Sequence, residues 1–212
     1  MAPFIVFEGI DGSGKSTTIH EISQRLSARG IAVESLREPT EKTDASREIR
    51  RILRTVREVT PQISKELLDL FFIDRLWDIN NQIIPSLRAG KVVLLDRYFF
   101  STAAYQADSD ARAHEIVATY LADDRIILPE LIIFLNLPVD EALRRVGTRR
   151  ELDVFETETR LNAIAARYNS IFSALPQHKK TVAVDERRGV LTAQDFEELS
   201  ARIAALVVAQ KK

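Results

Sequence analysis

Residues 9–16, GIDGSGKS, combine the residue types that hold a chain of phosphates. They fit the spacing G-x-x-x-x-G-K-[ST], with an apolar strand-like run before the motif and a helix-like segment after it. Glycines let backbone N–H groups converge on phosphate oxygens, and the positive end of the following helix faces the same point. The pattern predicts a nucleoside triphosphate site formed by Gly9, Ile10, Asp11, Gly12, Ser13, Gly14, Lys15, Ser16 and Thr17.

Two side chains of this loop have predicted roles in the chemistry. Lys15 is expected to reach the β- and γ-phosphates, and the hydroxyl of Ser16 is expected to bind Mg²⁺. Asp96 and Arg97 follow another apolar run, KVVLLD (91–96), at the strand end where ligands gather in open α/β sheets. A carboxylate there can hold Mg²⁺ or its waters, and the arginine can bind a second phosphate. Taken alone, the dipeptide is equally compatible with an ion pair that ends a strand.

The elements that must position these residues follow an alternating pattern of strands and helices. Apolar runs without clean alternation are typical of parallel strands buried on both faces. Ile19, Ile22 and Leu26 share one face of a helix after the first run, and Thr192 is the expected N-cap of a C-terminal helix at 192–208. The pattern predicts an α/β fold, a five-stranded parallel sheet sandwiched by helices, with strands at 4–8, 31–36, 91–96, 130–136 and 180–185.

Length and composition limit the possible classes of protein. A chain of 212 residues predicts one domain spanning 1–212, and a net charge of −1 gives no sign of a nucleic acid or anionic membrane partner. The absence of cysteine excludes disulfides and thiolate metal sites, and the three histidines form no pair at the spacing of ligands on a helix. No run of ~18 apolar residues and no basic signal segment is present, so we expect a cytoplasmic protein.

Five segments together resemble the thymidylate kinase family of P-loop nucleoside monophosphate kinases. The P-loop alone would indicate only a P-loop nucleotide-binding protein. The string DRY-x-x-S-x-x-A-Y-Q and the Phe–x₃–Arg spacing narrow the family. The segments occur in the family's order and spacing: FEGIDGSGKST (7–17), LREP (36–39), LFFIDR (70–75), DRYFFSTAAYQ (96–106) and RRVGTRRELD (144–153).

The resemblance implies transfer of the γ-phosphoryl group of ATP to dTMP, with Mg²⁺ as the metal. It implies that Phe71 stacks on the thymine ring and that Arg75, four residues on, donates to thymine O4. Arg97 would bind the acceptor phosphate, with Arg37 nearby. Taken singly, these residues are also compatible with core packing, solvated ion pairs or an ordinary turn.

The same resemblance assigns four further residues to the acceptor nucleotide. Asp11 resembles the acid that touches the region of the 3′-hydroxyl. Ser101 and Thr102 lie where the family contacts the base edge at N3. Tyr105 lies where the family packs a tyrosine against the 2′-carbon of the sugar.

A strongly basic stretch predicts a flap between two helices, with a lid at about 144–154. It departs from the family pattern, because Gly147 replaces one arginine. The P-loop holds no arginine between Gly9 and Gly14, so the cation that stabilises the transition state must come from the lid. Which residue supplies it stays open among Arg145, Arg149 and Arg150.

Three other functions remain open at this stage. The chain could phosphorylate another nucleoside monophosphate, or a deoxynucleoside with Glu38 as the carboxylate base. It could also be a regulator that binds ATP without turnover. The family further implies a homodimer, which would bury helix faces around 45–57 and 64–84.

Overall fold

Five strands form the centre of the structure, a computed structural model that describes residues 1–56, 59–146, 157–175 and 182–210. They are β1 (Phe4–Glu8), β2 (Val33–Arg37), β3 (Val92–Asp96), β4 (Leu131–Asn136) and β5 (Ala183–Arg188). All neighbouring pairs are parallel, and the order across the sheet is β2-β3-β1-β4-β5. The predicted α/β fold with a five-stranded parallel sheet is confirmed.

The predicted strand bounds hold best at the centre of the sheet. The strand at 4–8 is found as predicted. Of the strand predicted at 180–185, residues 180 and 181 lie outside the described residues, and β5 runs from Ala183 to Arg188. β5 is an edge strand that pairs only with β4, and its partners run from Leu131 opposite Ala183 to Asn136 opposite Arg188. Backbone pairing continues through the polar residues 185–188, because an edge strand can turn side chains to solvent.

Helices connect the strands and cover the sheet. Pro61–Asp78, a π-helical turn at Ile79–Ile83 and Ile84–Arg88 follow one another without a break. The helices are α1 (Lys15–Ala28), α2 (Asp44–Thr55), α3 (Pro61–Asp78), α4 (Ile84–Arg88), α5 (Phe99–Gln106), α6 (Asp110–Ala122), α7 (Val139–Val146), α8 (Glu158–Ala174) and α9 (Ala193–Ala209).

Both faces of the sheet are packed with apolar side chains. Successive residues of a strand point to opposite faces, so Ile5 and Phe7 pack against α1 and α9, whereas Phe4 and Val6 pack against α5, α6 and α8. Burying each such side chain contributes roughly 1.5–3 kcal/mol. The central strand β1 therefore holds the P-loop that follows it in a fixed place.

The predicted lid falls mostly outside the described residues. Its first residues, 144–146, end helix α7. Arg149 and Arg150 lie in the segment 147–156, which the structure does not describe. Their roles, and the single-domain organisation of 1–212, stay predictions.

Candidate active site

The loop between β1 and α1 has the backbone that the glycine motif predicts. Gly9 has φ 146°, and a Cβ there would lie 2.6 Å from the carbonyl oxygen of Leu135 and 2.8 Å from Ser13 Oγ. Gly14 has φ 95° and occupies the N-cap of α1 without a capping side chain. The first N–H groups of α1 can therefore receive phosphate oxygens, as in other helix N-terminal anion sites.

Lys15 lies buried within this loop. Its Nζ donates to the carbonyl oxygens of Gly9 and Ile10, at 2.9 Å each. Burial, with the nearby charge of Arg97, lowers the pKa of Lys15 to about 8. The ammonium group thus occupies the loop that a phosphate chain would enter.

The two predicted metal ligands lie next to each other. Ser16 Oγ donates to Asp96 Oδ2 at 3.2 Å. Asp96 Oδ1 is buried and has no hydrogen-bond partner among the described residues. A hydroxyl and a carboxylate beside a phosphate loop fit Mg²⁺, which keeps several waters and needs few protein ligands. The described residues contain no cluster of three or more His, Cys, Asp or Glu suited to an all-protein metal site.

A cavity of about 130 Å³ lies beside the P-loop and collects the whole predicted acceptor site. A wider groove of about 390 Å³ adjoins it and shares Tyr105 and Gln106 with it. Of the eight residues predicted to contact the acceptor, Tyr105 alone lines that groove. The smaller cavity is therefore the candidate acceptor pocket. It is lined by all eight predicted residues, Asp11, Arg37, Phe71, Arg75, Arg97, Ser101, Thr102 and Tyr105.

Arg97 connects the P-loop with this cavity. Its Nη2 donates to Asp11 Oδ1 at 2.7 Å and to the Tyr105 hydroxyl at 3.1 Å, while Tyr105 donates to Asp11 Oδ2 at 2.8 Å. Its Nη1 donates to Ser101 Oγ at 3.1 Å and to the Gly9 carbonyl at 3.3 Å. Burial opposes the charge of Arg97, but Asp11, Tyr105, Tyr168 and Asp96 together outweigh it and raise the pKa of the guanidinium well above its ordinary value. Arg97 is therefore a fixed, permanently charged group at the junction.

Arg75 lies at the other end of the cavity in a buried ion pair. Its Nε and Nη2 donate to Glu38 Oε2 at 2.9 and 2.6 Å, and Nη2 also donates to Thr102 Oγ1 at 3.0 Å. The rings of Tyr98 and Tyr120 lie 5.1 and 4.9 Å from the guanidinium carbon. Arg75 Nη1 is buried without an acceptor among the described residues. An acceptor oxygen from a bound ligand would satisfy it.

Of the three candidates for the lid cation, Arg145 lies within the described residues. Its Nη1 lies 3.5 Å from the carbonyl oxygen of Gly12, and its Nε donates to Glu141 Oε1 at 2.9 Å. This contact places Arg145 on the P-loop side of the site, away from the acceptor cavity.

Sequence reasoning does not find Glu8 or Tyr168. Glu8 lies fully buried at the end of β1, and the hydroxyl of Tyr168 donates to it at 2.9 Å from α8. Glu8 falls within the FEG segment of the first motif, so the sequence holds a signal for it. Tyr168 comes from a helix with no motif, and only the folded chain brings it to the site.

No helix among the described residues combines the length and the apolar character that a membrane span requires. A family model described as thymidylate kinase matches residues 7–193 of this chain. The chain is 39% identical to a thymidylate kinase of Leptospira borgpetersenii serovar Hardjo-bovis, over 88% of this chain and 86% of that protein.

Two other relatives bear related names. A thymidylate kinase of Desulfotalea psychrophila is 36% identical, over 79% of this chain and 80% of that protein. A probable thymidylate kinase of Pyrococcus horikoshii is 34% identical, over 96% of this chain and 95% of that protein.

Proposed function

The chain belongs to the thymidylate kinase family, and we propose that it transfers the γ-phosphoryl group of ATP to the 5′-phosphate of dTMP, giving dTDP and ADP. The observation that carries the assignment is the cavity beside the P-loop, which is lined by all eight residues predicted to contact the acceptor. A phosphate donor loop and this cavity share Arg97 at their junction.

The donor side would work through the P-loop and α1. Backbone N–H groups at the start of α1 bind the phosphates, and Lys15 leaves the carbonyls of Gly9 and Ile10 to meet the β- and γ-oxygens. Ser16 and Asp96 would hold Mg²⁺. The metal, when bound, neutralises charge on the β- and γ-phosphates.

The acceptor side would orient dTMP at both ends. Arg75 Nη1 has no acceptor among the described residues and would donate to thymine O4, with Phe71 against the ring face. Arg97 would bind the 5′-phosphate, and Arg37 lines the same cavity. The guanidinium of Arg97 is already fixed by Asp11 and Tyr105, so little reorganisation is needed when substrate binds.

This chemistry requires no general base. The acceptor phosphate is largely dianionic at neutral pH, since its second pKa is about 6. Catalysis is then positioning plus neutralisation of charge. Among the lid arginines we assign Arg145 to ATP binding, because it contacts the P-loop at Gly12, and Arg149 to the transition-state charge.

Glu38, the candidate base of the deoxynucleoside kinase alternative, is bound by Arg75 at Oε2, and its Oε1 has no hydrogen-bond partner among the described residues. A base for a hydroxyl acceptor must be able to take up a proton near the acceptor atom. Both partners of the Glu38–Arg75 pair are at most 2% exposed, and Glu38 Oε2 accepts two hydrogen bonds from Arg75. Glu38 therefore orients Arg75 in this proposal.

Two further parts of the proposal concern the state of the protein in the cell. The family suggests a homodimer, and Ile73 on α3 is 56% exposed within the predicted interface face 64–84. A cytoplasmic location stays a prediction from the sequence.

Release of ADP by the purified protein tests the proposed function. Wild type with ATP and Mg²⁺ should release ADP rapidly only when dTMP is added, and Lys15→Ala should abolish this release while keeping the fold. ATP binding without dTMP-stimulated turnover would favour the regulator instead, and full activity of Lys15→Ala would overturn the P-loop assignment.

A further inference from the structure

Glu8 is a buried carboxylate that the proposed mechanism does not use. It ends β1 directly before the P-loop and is 0% exposed. Its Oε1 accepts from the backbone N–H groups of Tyr98 at 2.8 Å and Ser101 at 3.2 Å. Its Oε2 accepts from Ser101 Oγ at 2.5 Å and from the Tyr168 hydroxyl at 2.9 Å. Burial raises the pKa of Glu8, and the Ser101 hydroxyl, the charge of Arg97, the Tyr98 N–H and the Tyr168 hydroxyl offset part of that rise.

Helix α5 begins without a cap of its own. Tyr98 occupies the N-cap position and its side chain makes no hydrogen bond to the first turn. The N–H groups at a helix N-terminus need acceptors, and a negative charge there is favoured by the helix dipole. Glu8, at the end of β1, supplies the acceptor oxygens and the negative charge to the start of α5. These hydrogen bonds hold α5 against β1, the strand that leads into the P-loop. Helix α5 carries Ser101, Thr102 and Tyr105.

The backbone of Arg97 is strained at the same place. Arg97 has φ 71°, which is uncommon for a residue other than glycine, and no other non-glycine residue in the described ranges has a positive φ. Its own N–H donates to the carbonyl oxygen of Phe7 at 3.0 Å, and the next N–H, that of Tyr98, donates to Glu8. Phe7 and Glu8 of β1 therefore bind the peptide N–H groups on the two sides of Arg97.

Two hydroxyl groups connect the side chain of Arg97 with Glu8. Its Nη1 donates to Ser101 Oγ at 3.1 Å and to the Tyr168 hydroxyl at 3.5 Å. Both of these hydroxyls donate to Glu8 Oε2. Glu8 itself does not line the acceptor cavity.

We propose that Glu8 is a positioning residue for the acceptor half of the site. It fixes the first turn of α5 and, through Ser101 and Tyr168, the direction of the Arg97 guanidinium. This inference rests on the proposed function, since Arg97 and α5 are the parts of the chain assigned to dTMP. It adds a residue that acts on acceptor binding without touching the nucleotide.

The test compares dTMP and ADP affinities of wild type and Glu8→Gln by calorimetry, with thermal unfolding as a check on the fold. The amide keeps the shape but removes the charge and one acceptor oxygen. We expect dTMP binding to weaken by about tenfold or more, the loss of a hydrogen bond to a charged group. ADP binding should change by less than about twofold, as for a site outside the altered network.

A second variant covers the case in which Glu8→Gln does not fold. Tyr168→Phe leaves Glu8 in place, removes one donor to Oε2 and does not alter any residue that lines the acceptor cavity. It should weaken dTMP more than ADP, by a smaller factor. Asp185→Asn is the matched control, a buried carboxylate on β5 bound by Arg187 and Arg202, and should leave the ratio of the two affinities unchanged.

The outcomes separate the two claims. If wild type does not bind dTMP, the proposed function fails. If wild type binds dTMP and both Glu8→Gln and Tyr168→Phe lower the two affinities equally, or not at all, the positioning role of Glu8 is wrong.

Discussion

Lys15 shows how a single residue can be prepared for a ligand before the ligand arrives. In the structure its ammonium is buried and donates to two backbone carbonyls of the loop. A phosphate chain would replace these carbonyls with negative oxygens, so the charged form of Lys15 gains most when nucleotide binds.

The lowered pKa of Lys15, about 8, gives a pH prediction. The protonated ammonium is the form that binds phosphate, and kcat/KM reports ionisations of the free enzyme. Therefore kcat/KM for ATP should fall as the pH rises through about 8. Lys15→Arg, whose guanidinium does not deprotonate in this range, should show a flat profile if it retains activity. A wild-type profile that stays flat to high pH would contradict this assignment.

Arg75 and Glu38 give a second prediction at the residue scale. Removing one partner of a buried ion pair leaves an uncompensated charge and costs roughly 3–5 kcal/mol. Arg75→Gln should therefore lower the free energy of unfolding by about that amount, measured by urea denaturation. The double variant Glu38→Gln with Arg75→Gln should recover a large part of it. Equal losses in the single and double variants would show that the unpaired charge of Glu38 is not the cause of the loss.

Residues found and missed by sequence reasoning differ in a physical way. Arg97, Phe71 and Arg75 have chemically distinctive side chains at fixed spacing, so a motif can carry them. Glu8 and Tyr168 act through hydrogen bonds between elements distant in sequence, separated by 160 positions. The spacing of residues along the chain does not predict that contact.

At the element scale, the start of α9 is the part of the fold that local chemistry determines most clearly. Thr192 was predicted as N-cap from its type and place, and it forms a capping box with Asp195. The edge strand β5 is the opposite case, because its pairing with β4 is set by the sheet and extends past the apolar run. Local signals predict helix ends, whereas tertiary pairing sets strand ends.

Thr192→Ala tests the contribution of this cap. Loss of an N-cap hydroxyl costs about 1 kcal/mol, so the urea midpoint should fall accordingly. Thr192 lies outside the candidate active site, so kcat and KM should be unchanged. Thr192→Ser keeps the hydroxyl and should lie close to wild type. A large loss of activity in Thr192→Ala would mean that α9 acts on the site.

At the scale of the whole molecule, the proposed dimer depends on exposed apolar surface. Ile73 on α3 is 56% exposed, and Val208 on α9 is 60% exposed but lies outside the predicted interface. Sedimentation velocity should give a dimer of the 24.0 kDa chain for wild type and Val208→Glu. Ile73→Glu should shift it to monomer, because a buried unpaired charge disfavours the interface. A monomeric wild type, or a dimer unchanged by Ile73→Glu, would contradict the proposed interface.

Base choice is the property that depends on the whole acceptor site at once. Thymine offers an acceptor oxygen at O4, which would meet Arg75 Nη1, a donor that has no partner in the part of the chain that the structure describes. Cytosine presents an amino group at the same position. Sites built on such hydrogen bonds discriminate by ~10⁴-fold when a partner is left unpaired. Distinction from dUMP depends only on the methyl group, which is worth roughly 1–3 kcal/mol.

The most direct test is therefore kcat/KM for a panel of acceptors, dTMP, dUMP, dCMP, dGMP and UMP, with ATP and Mg²⁺. We predict dTMP first, dUMP lower by a modest factor, UMP below dUMP because Tyr105 crowds the 2′-hydroxyl, and dCMP and dGMP far below. A best acceptor other than dTMP, above all dCMP or dGMP, would contradict the assignment of the cavity to thymidylate.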